Sequence, residues 1–390
     1  MRFDARLGLS QAFRPFFPLA AMMTAMSVMA WIFSLARLTP LHANPTLWHA
    51  HEMLYGFAVA IILGFTLTAV ENWTGQKALG TTSLGCLIAL WVAARTLAIW
   101  PSREAQLASS IFDVPVLFVG AGLMARILIR THNRRNMMFI PFMLGLAVLN
   151  LLIHYSLWSG QVGLARMLLH GSAWLVGFLM VFMGGRVIPF FTGRRLGYTP
   201  RQFTLLNWVS TLSALACALA FPLEMPVPLL ACAVIATLST GVRWLLWSPW
   251  RTFREPMLWI LHIGYGWLVA AYSLIVLVEL DVLAWPRTAA IHALLAGGLG
   301  GLGLGMISRV SLGHSGRPIV ADRWITTSFW LVILAGVFRM SVYVSYANGA
   351  WLQRVSAAVC WSLAFCIFAA RYVPWLWTSQ PQLTGRPSHD

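Results

Sequence analysis

Runs of roughly 18 or more apolar residues recur along the whole chain, and the charged residues fall in the short gaps between them. A helix needs about 20 apolar residues to cross the hydrocarbon core of a bilayer. The pattern therefore predicts an all-α, polytopic membrane bundle of about twelve transmembrane helices. These spans are expected at roughly 17–37, 48–70, 80–100, 108–130, 138–158, 165–188, 203–221, 226–247, 256–278, 288–308, 324–345 and 350–377. No remaining stretch is long enough for a soluble domain, so residues 1–390 read as one integral membrane domain.

Composition agrees, since 59% of the 390 residues are hydrophobic and only 10% are charged. That much apolar surface has no place in a single soluble core. A net charge of +16 would suit a nucleic-acid partner, but the basic residues follow the topology instead. Arg2, Arg6, Arg14, Lys77, Arg126, Arg130, Arg134 and Arg135 fall before the first span or after the second and fourth. Arg186, Arg194, Arg195, Arg201, Arg243, Arg251, Arg254, Arg309, Arg317, Arg323, Arg371 and Arg386 keep to the same side. The other side receives Arg37, Arg103, Arg166, Arg287 and Arg354. Basic residues gather on the cytoplasmic side of membrane proteins, so both termini are expected in the cytoplasm, with lipid rather than nucleic acid as the surrounding partner. The first apolar run follows Asp4 and is long enough to span, which predicts a retained helix and no cleaved signal. Cys86, Cys217, Cys232, Cys360 and Cys366 all fall within spans, and no C-x-x-C or C-x-x-C-H occurs. A zinc ribbon and a covalently attached c-type haem are thereby excluded.

An internal repeat emerges when the second, sixth and tenth spans are aligned on a histidine near the start of each. His51 is followed by Thr74-Gly75-Gln76, His170 by Thr192-Gly193-Arg194, and His292 by Ser315-Gly316-Arg317. The gaps from histidine to glycine are 24, 23 and 24 residues, and the histidines stand 119 and 122 residues apart. That interval equals four spans, so the chain reads as a threefold pseudo-repeat of four helices, over approximately 14–137, 138–255 and 256–377.

Even-numbered spans run inward, which puts His51, His170 and His292 at one depth in the outer third of the membrane. His49, also at the start of the second span, and His154, near the end of the oppositely directed fifth, join that layer. His262 belongs to the cytoplasmic side, while His42, His132, His314 and His389 belong to loops or the tail. A lone membrane histidine ordinarily makes an interhelical hydrogen bond, but five at one depth suggest a metal layer. Neutral imidazole ligates both haem iron and copper, and zinc is chemically possible.

His49 and His51 are about 200° apart around a regular helix, so they are not expected to share a pocket. His51 holds the repeat register and is read as the ligand. His49 is either a second-site ligand or an interface residue. Glu52 is placed to steady a ligand imidazole through its second nitrogen, and Tyr55, one turn below His51, either hydrogen-bonds a metal ligand or packs. Gly297, Gly301 and Gly305 below His292 admit a flat ring or, as the stronger reading, a close helix. Arg95 and Arg339 lie inside spans, separated by 244 residues, twice the last histidine interval. A buried guanidinium demands an anion, either Asp113 or a haem propionate. Arg166 and Arg287 read equally as interfacial anchors. No carboxylate chain crosses from the cytoplasmic side, which argues against a proton pump.

Several segments resemble the NnrS family of bacterial nitric-oxide metabolism over nearly the whole chain. They are Phe13-Arg14-Pro15-Phe16-Phe17, Trp48-His49-Ala50-His51-Glu52-Met53, Asn72-Trp73-Thr74-Gly75, Gly184-Gly185-Arg186-Val187-Ile188-Pro189, His292-Ala293-Leu294 and 308–317. Glu71 and Phe190 depart from the family's pattern. The resemblance implies a twelve-helix inner-membrane protein that holds non-covalent b-type haem and, less firmly, copper, and that acts in the nitrosative stress response on nitric oxide or nitrosylated iron. It names no redox partner. The helix quartets also look like the catalytic subunit of haem–copper oxidases, in architecture only, because this chain has no adjacent histidine pair. A secondary transporter, or a haem or copper supply protein, is the rival expectation.

Overall fold

A computed structural model of the chain describes residues 4–39, 44–345 and 350–378. Arg2, His42, Arg386 and His389 lie outside the described residues. Twelve long helices account for the twelve expected spans. They are α1 (Phe13–Leu35), α2 (Pro45–Thr74), α3 (Thr81–Ala98), α4 (Arg103–Arg130), α5 (Phe139–Trp158) and α6 (Val162–Leu196). The second half comprises α7 (Thr204–Ala220), α8 (Pro226–Leu246), α9 (Pro256–Glu279), α10 (Thr288–His314), α11 (Arg323–Ser341) and α12 (Ala350–Leu376). Eleven are long and apolar enough to cross a bilayer, and α7 is a shorter apolar helix.

Local chemistry fixes several starts. The Asn44 side chain accepts the Leu47 N–H ahead of Pro45 in the first turn of α2, Ser102 accepts the Ala105 N–H at α4, and Asp322 accepts the Ile325 N–H at α11. Leu205 and Val227 are 76% and 77% exposed. Such side chains would be a liability in water and are ordinary facing acyl chains.

Consecutive helices pack side by side. The fourth helix of each expected unit packs on the first of the next, α4 on α5 and α8 on α9, and α12 returns to pack on α1, which closes the ring. The second helices of the units, α2, α6 and α10, touch one another inside it. Of their apolar windows 89% in α2 and 78% in α10 are buried, against 33% in α3, α8 and α11. The histidine-bearing helices are therefore inner elements.

Two of them carry an irregularity. Glu52–Ala58, immediately after His51, winds as a π-helix, and Ala293–Leu299, immediately after His292, does the same. The second unit has no counterpart, since α6 is α-helical from Val162 to Leu196. An i→i+5 turn takes up one more residue than an i→i+4 turn. This accounts for gaps of 24 residues in the first and third units and 23 in the second. Gly75 ends α2 and Gly316 follows α10 with φ near +68° and +69°, a backbone that glycine adopts without steric cost. In the second unit the helix runs past Gly193, and Gly197 takes that role.

The stripe of Gly297, Gly301 and Gly305 serves helix packing. A Cβ at Gly301 would lie 3.1 Å from the Gly264 Cα of α9, and one at Gly297 would collide with the Trp267 ring. A flat ring has no room there.

Candidate functional site

The polar side chains at the end where α2, α6 and α10 begin form two separate groups. The first lies between α2, α3, α4 and α5. Arg95, in the last turn of α3, donates through Nη1 to Glu52 Oε1 at 2.8 Å and through Nη2 to Asp113 Oδ1. The other Asp113 oxygen, Oδ2, accepts from Asn150 Nδ2 at 2.9 Å and from His154 Nε2 at 3.0 Å. His51 closes the set, with Nδ1 3.0 Å from Glu52 Oε1 and Nε2 3.0 Å from Asn150 Oδ1. Because the Asn150 amide nitrogen is committed to Asp113, its oxygen faces His51, so both His51 nitrogens face acceptor oxygens. Glu52, Arg95 and Asp113 are buried. Two carboxylates thus meet a guanidinium and an imidazole, which pairs most of the buried charge, as a low dielectric requires, while Glu52 Oε2 and Arg95 Nε have no hydrogen-bond partner among the described residues. The Tyr55 ring stacks 5.0 Å from His51, and its hydroxyl lies 2.6 Å from Ser172 Oγ of α6. A cavity of about 180 Å³ reaches His51, Glu52 and His154 from the end of the bundle near Arg103 and Gln106.

The second group surrounds a larger cavity of about 420 Å³ between α2, α6 and α10, with α1, α11 and α12 completing its wall. His49, His170 and His292 all line it, one from each inner helix, in a wall that is otherwise mainly Leu, Ala, Ile, Met, Phe and Trp. That volume lies within the roughly 300–1,000 Å³ of small-molecule and cofactor sites. His49 stacks on Trp31 at 4.2 Å and 16°, and its buried Nδ1 has no hydrogen-bond partner among the described residues. His292 is held from two sides. Arg339 Nη2 lies 2.8 Å from Nε2, while the Thr288 carbonyl lies 2.8 Å and the Tyr343 hydroxyl 2.7 Å from Nδ1. A guanidinium only donates, so Nε2 is the acceptor, and Nδ1 carries the proton that Thr288 O accepts. In this tautomer the Nε2 lone pair is taken by Arg339 and would be free for a metal only once that guanidinium turned away. Arg166, Arg339 and Arg354 also line the cavity, and the buried Arg339 Nη1 has no partner among the described residues.

The expected layer is thus divided. His49 and His51 do face different cavities. The one that joins His170 and His292 is His49, whereas His51 is turned to His154, with ring centroids 5.0 Å apart. Of the three register histidines, His170 and His292 line one cavity and His51 lines another. The reason is local, because Glu52, Asn150 and Asp113 claim both nitrogens of His51. Arg95 finds its anion in Asp113 and Glu52, while Arg339 has no carboxylate partner among the described residues. Arg287 pairs with Glu279 at 2.5 and 2.6 Å, and Arg166 lines the cavity. His262 lies at the opposite end, 2.9 Å from Thr192.

Sequence reasoning passed over Asn150, Tyr343, Trp31 and Arg354. Asn150 was legible as a polar residue one turn from His154 in an apolar span, and Tyr343 as the aromatic one turn after Arg339. Trp31 and Arg354 carried no such signal. Among the described residues, His51, Asp113 and His154 are the one group whose ligating atoms lie close enough for a single metal ion, within 4.8 Å of one another.

A family model described as NnrS protein matches residues 8–380. No curated protein matches the chain.

Proposed function

We propose, on the premise that this chain belongs to the NnrS family, that it holds a b-type haem between α2, α6 and α10 and there binds or converts nitric oxide or nitrosylated iron. The observation that carries this reading is the convergence of His49, His170 and His292, one from each inner helix, on a single apolar cavity. The residues fit the group. An apolar wall suits a macrocycle, His49 offers a buried unpartnered nitrogen, His292 would offer Nε2 once Arg339 turned from it to a propionate, and Arg166 and Arg354 suit the remaining propionate. A bound haem supplies an iron on which a diatomic ligand can coordinate. The chain's own part is to orient the imidazoles, through the Trp31 stack and the Thr288 carbonyl, and to surround the site with apolar side chains.

For copper, the candidate donors are His51, Asp113 and His154, whose two imidazoles suit divalent copper, while the same two-imidazole, one-carboxylate set would equally take ferrous iron. A cation entering there would displace the protons that His51 and His154 donate. We further place the histidine end toward the periplasm of an inner membrane and both termini in the cytoplasm, because the opposite end carries most of the arginines. The three cavity arginines would equally attract a transported anion, which is the rival reading, and loose, exchangeable occupancy would mark a haem or copper supply protein.

Optical and metal analysis of purified protein, reduced and then exposed to nitric oxide, tests the proposal. A Soret band that shifts with nitric oxide is expected. No Soret band, or unchanged haem content after combined His49→Ala, His170→Ala and His292→Ala substitution, overturns it. Anion transport by haem-free protein would establish the rival.

A further inference from the structure

A second cavity, of about 100 Å³, lies along the same three inner helices. The lining residues advance toward the opposite end on each helix. On α2 they pass from His49, Met53 and Phe57 to Ile61 and Phe65, and on α6 from His170 and Ala173 to Val176 and Met183. On α10 they pass from His292 and Leu295 to Gly303 and Met306, and Leu299 borders both cavities. Leu299, which lines both cavities, is the shared wall, with Phe57 on the histidine side and Gly303 on the other. A Cβ at Gly303 would come 3.3 Å from Ile61, 3.8 Å from Leu299 and 3.9 Å from Phe57, so the absence of a side chain at this position keeps the space open.

The wall contains no charged residue, and Thr66 is its only hydroxyl-bearing member. That hydroxyl donates to the Ile62 carbonyl at 2.7 Å. A buried water needs two to four polar partners, whereas a dry apolar cavity of roughly 150 Å³ admits xenon. The space is too small for a porphyrin. A neutral diatomic gas has no polar group to satisfy and dissolves in hydrocarbon, so it gains contact with the wall without losing hydrogen bonds.

We propose that this chamber is a binding site for a neutral, apolar diatomic gas, in series with the histidine cavity and passing gas to it across the Leu299, Phe57 and Gly303 partition. The delivery half rests on the reading that a gas-binding haem occupies the histidine cavity, but the chamber itself does not. The thioethers of Met183 and Met306 add polarizable wall to a site for a ligand held by dispersion alone.

Xenon is the probe. Crystals of the purified protein pressurised with xenon are expected to show an atom among Val176, Met183 and Met306, lost in Val176→Phe. Ordered water in the chamber, or no xenon, would refute the site. In the haem-loaded protein, nitric-oxide association after flash photolysis is then expected to slow several-fold in Val176→Phe, with an unchanged Soret band. Unchanged association rates with the chamber filled would refute the series path. Should Val176→Phe fail to fold, xenon in the wild-type chain still decides the site and Gly303→Ala, which narrows the partition, tests the path. Protein without a Soret band would defeat the haem reading, while the xenon result would still decide the chamber.

Discussion

Arg339 Nη2 lies 2.8 Å from His292 Nε2 and 3.3 Å from Nδ1, so one guanidinium holds the edge of that ring. Its second terminal nitrogen, Nη1, is buried and unpartnered among the described residues. Such a cation is suited to receive an anionic group brought in with a ligand. Arg339→Ala is expected to weaken haem retention by roughly ten- to hundredfold, since a hydrogen bond to a charged group is worth about 1.5–3 kcal/mol. Arg339→Lys should recover only part, because an ammonium lacks the planar fork. Haem-to-protein ratio after dialysis measures both, and equal retention by all three proteins would remove Arg339 from the site.

The division between His49 and His51 gives a second expectation. His49→Ala and His292→Ala should alter the Soret band or abolish it. His51→Gln should leave haem content per folded protein unchanged and lower copper content. Optical spectra paired with metal analysis separate the two effects. Loss of haem from His51→Gln protein of normal thermal stability would show that the two cavities work as one centre.

The twelve spans were legible because the hydropathy period of a helix crossing a bilayer is long and strong, and because arginines mark its ends. The spacing from histidine to glycine in the tails of α2, α6 and α10 differs by one residue, and that difference matches the π segments after His51 and His292. Which histidines face which cavity was not legible. His49 and His51 differ in direction, and only the position of Asn150, ninety-nine residues from His51, decides which one is captured by the carboxylate group. A register argument gave His51 preference over His49, but register fixes depth along a helix, whereas the cavity is chosen by rotation around it.

The ion group itself should be a stability element. Arg95→Met leaves Glu52 and Asp113 buried without their guanidinium, and breaking a buried pair from one side costs about 3–5 kcal/mol. Adding Glu52→Gln and Asp113→Asn to Arg95→Met removes the orphaned charges and should restore much of that loss. Thermal unfolding in detergent micelles compares the variants. A triple variant no more stable than Arg95→Met would mean that the group matters through shape and not through charge.

At the other end, Asp322 caps α11 by accepting the Ile325 N–H at 2.9 Å, and Arg371 Nη2 donates to its other oxygen at 2.5 Å. Partial burial would push this carboxyl up, but the Ile325 N–H and Arg371 outweigh it and hold the group below its ordinary 3.8. A carboxylate whose folded pKa is depressed contributes stability that is fully present above the unfolded value and is lost as pH falls through the folded one. Asp322→Ala is therefore expected to destabilise by about 0.5–2 kcal/mol near neutral pH, the usual range for a lost cap. The side chain is 35% exposed, so the ion pair itself adds little to that figure. The gap between wild type and variant should stay constant down to about pH 4 and close only below it, whereas Asp322→Asn, which keeps a capping oxygen, should show a small gap at every pH. Melting curves of the three proteins from neutral to acidic pH test this, and a gap that persists at the acidic limit would assign the effect to helix capping by shape alone.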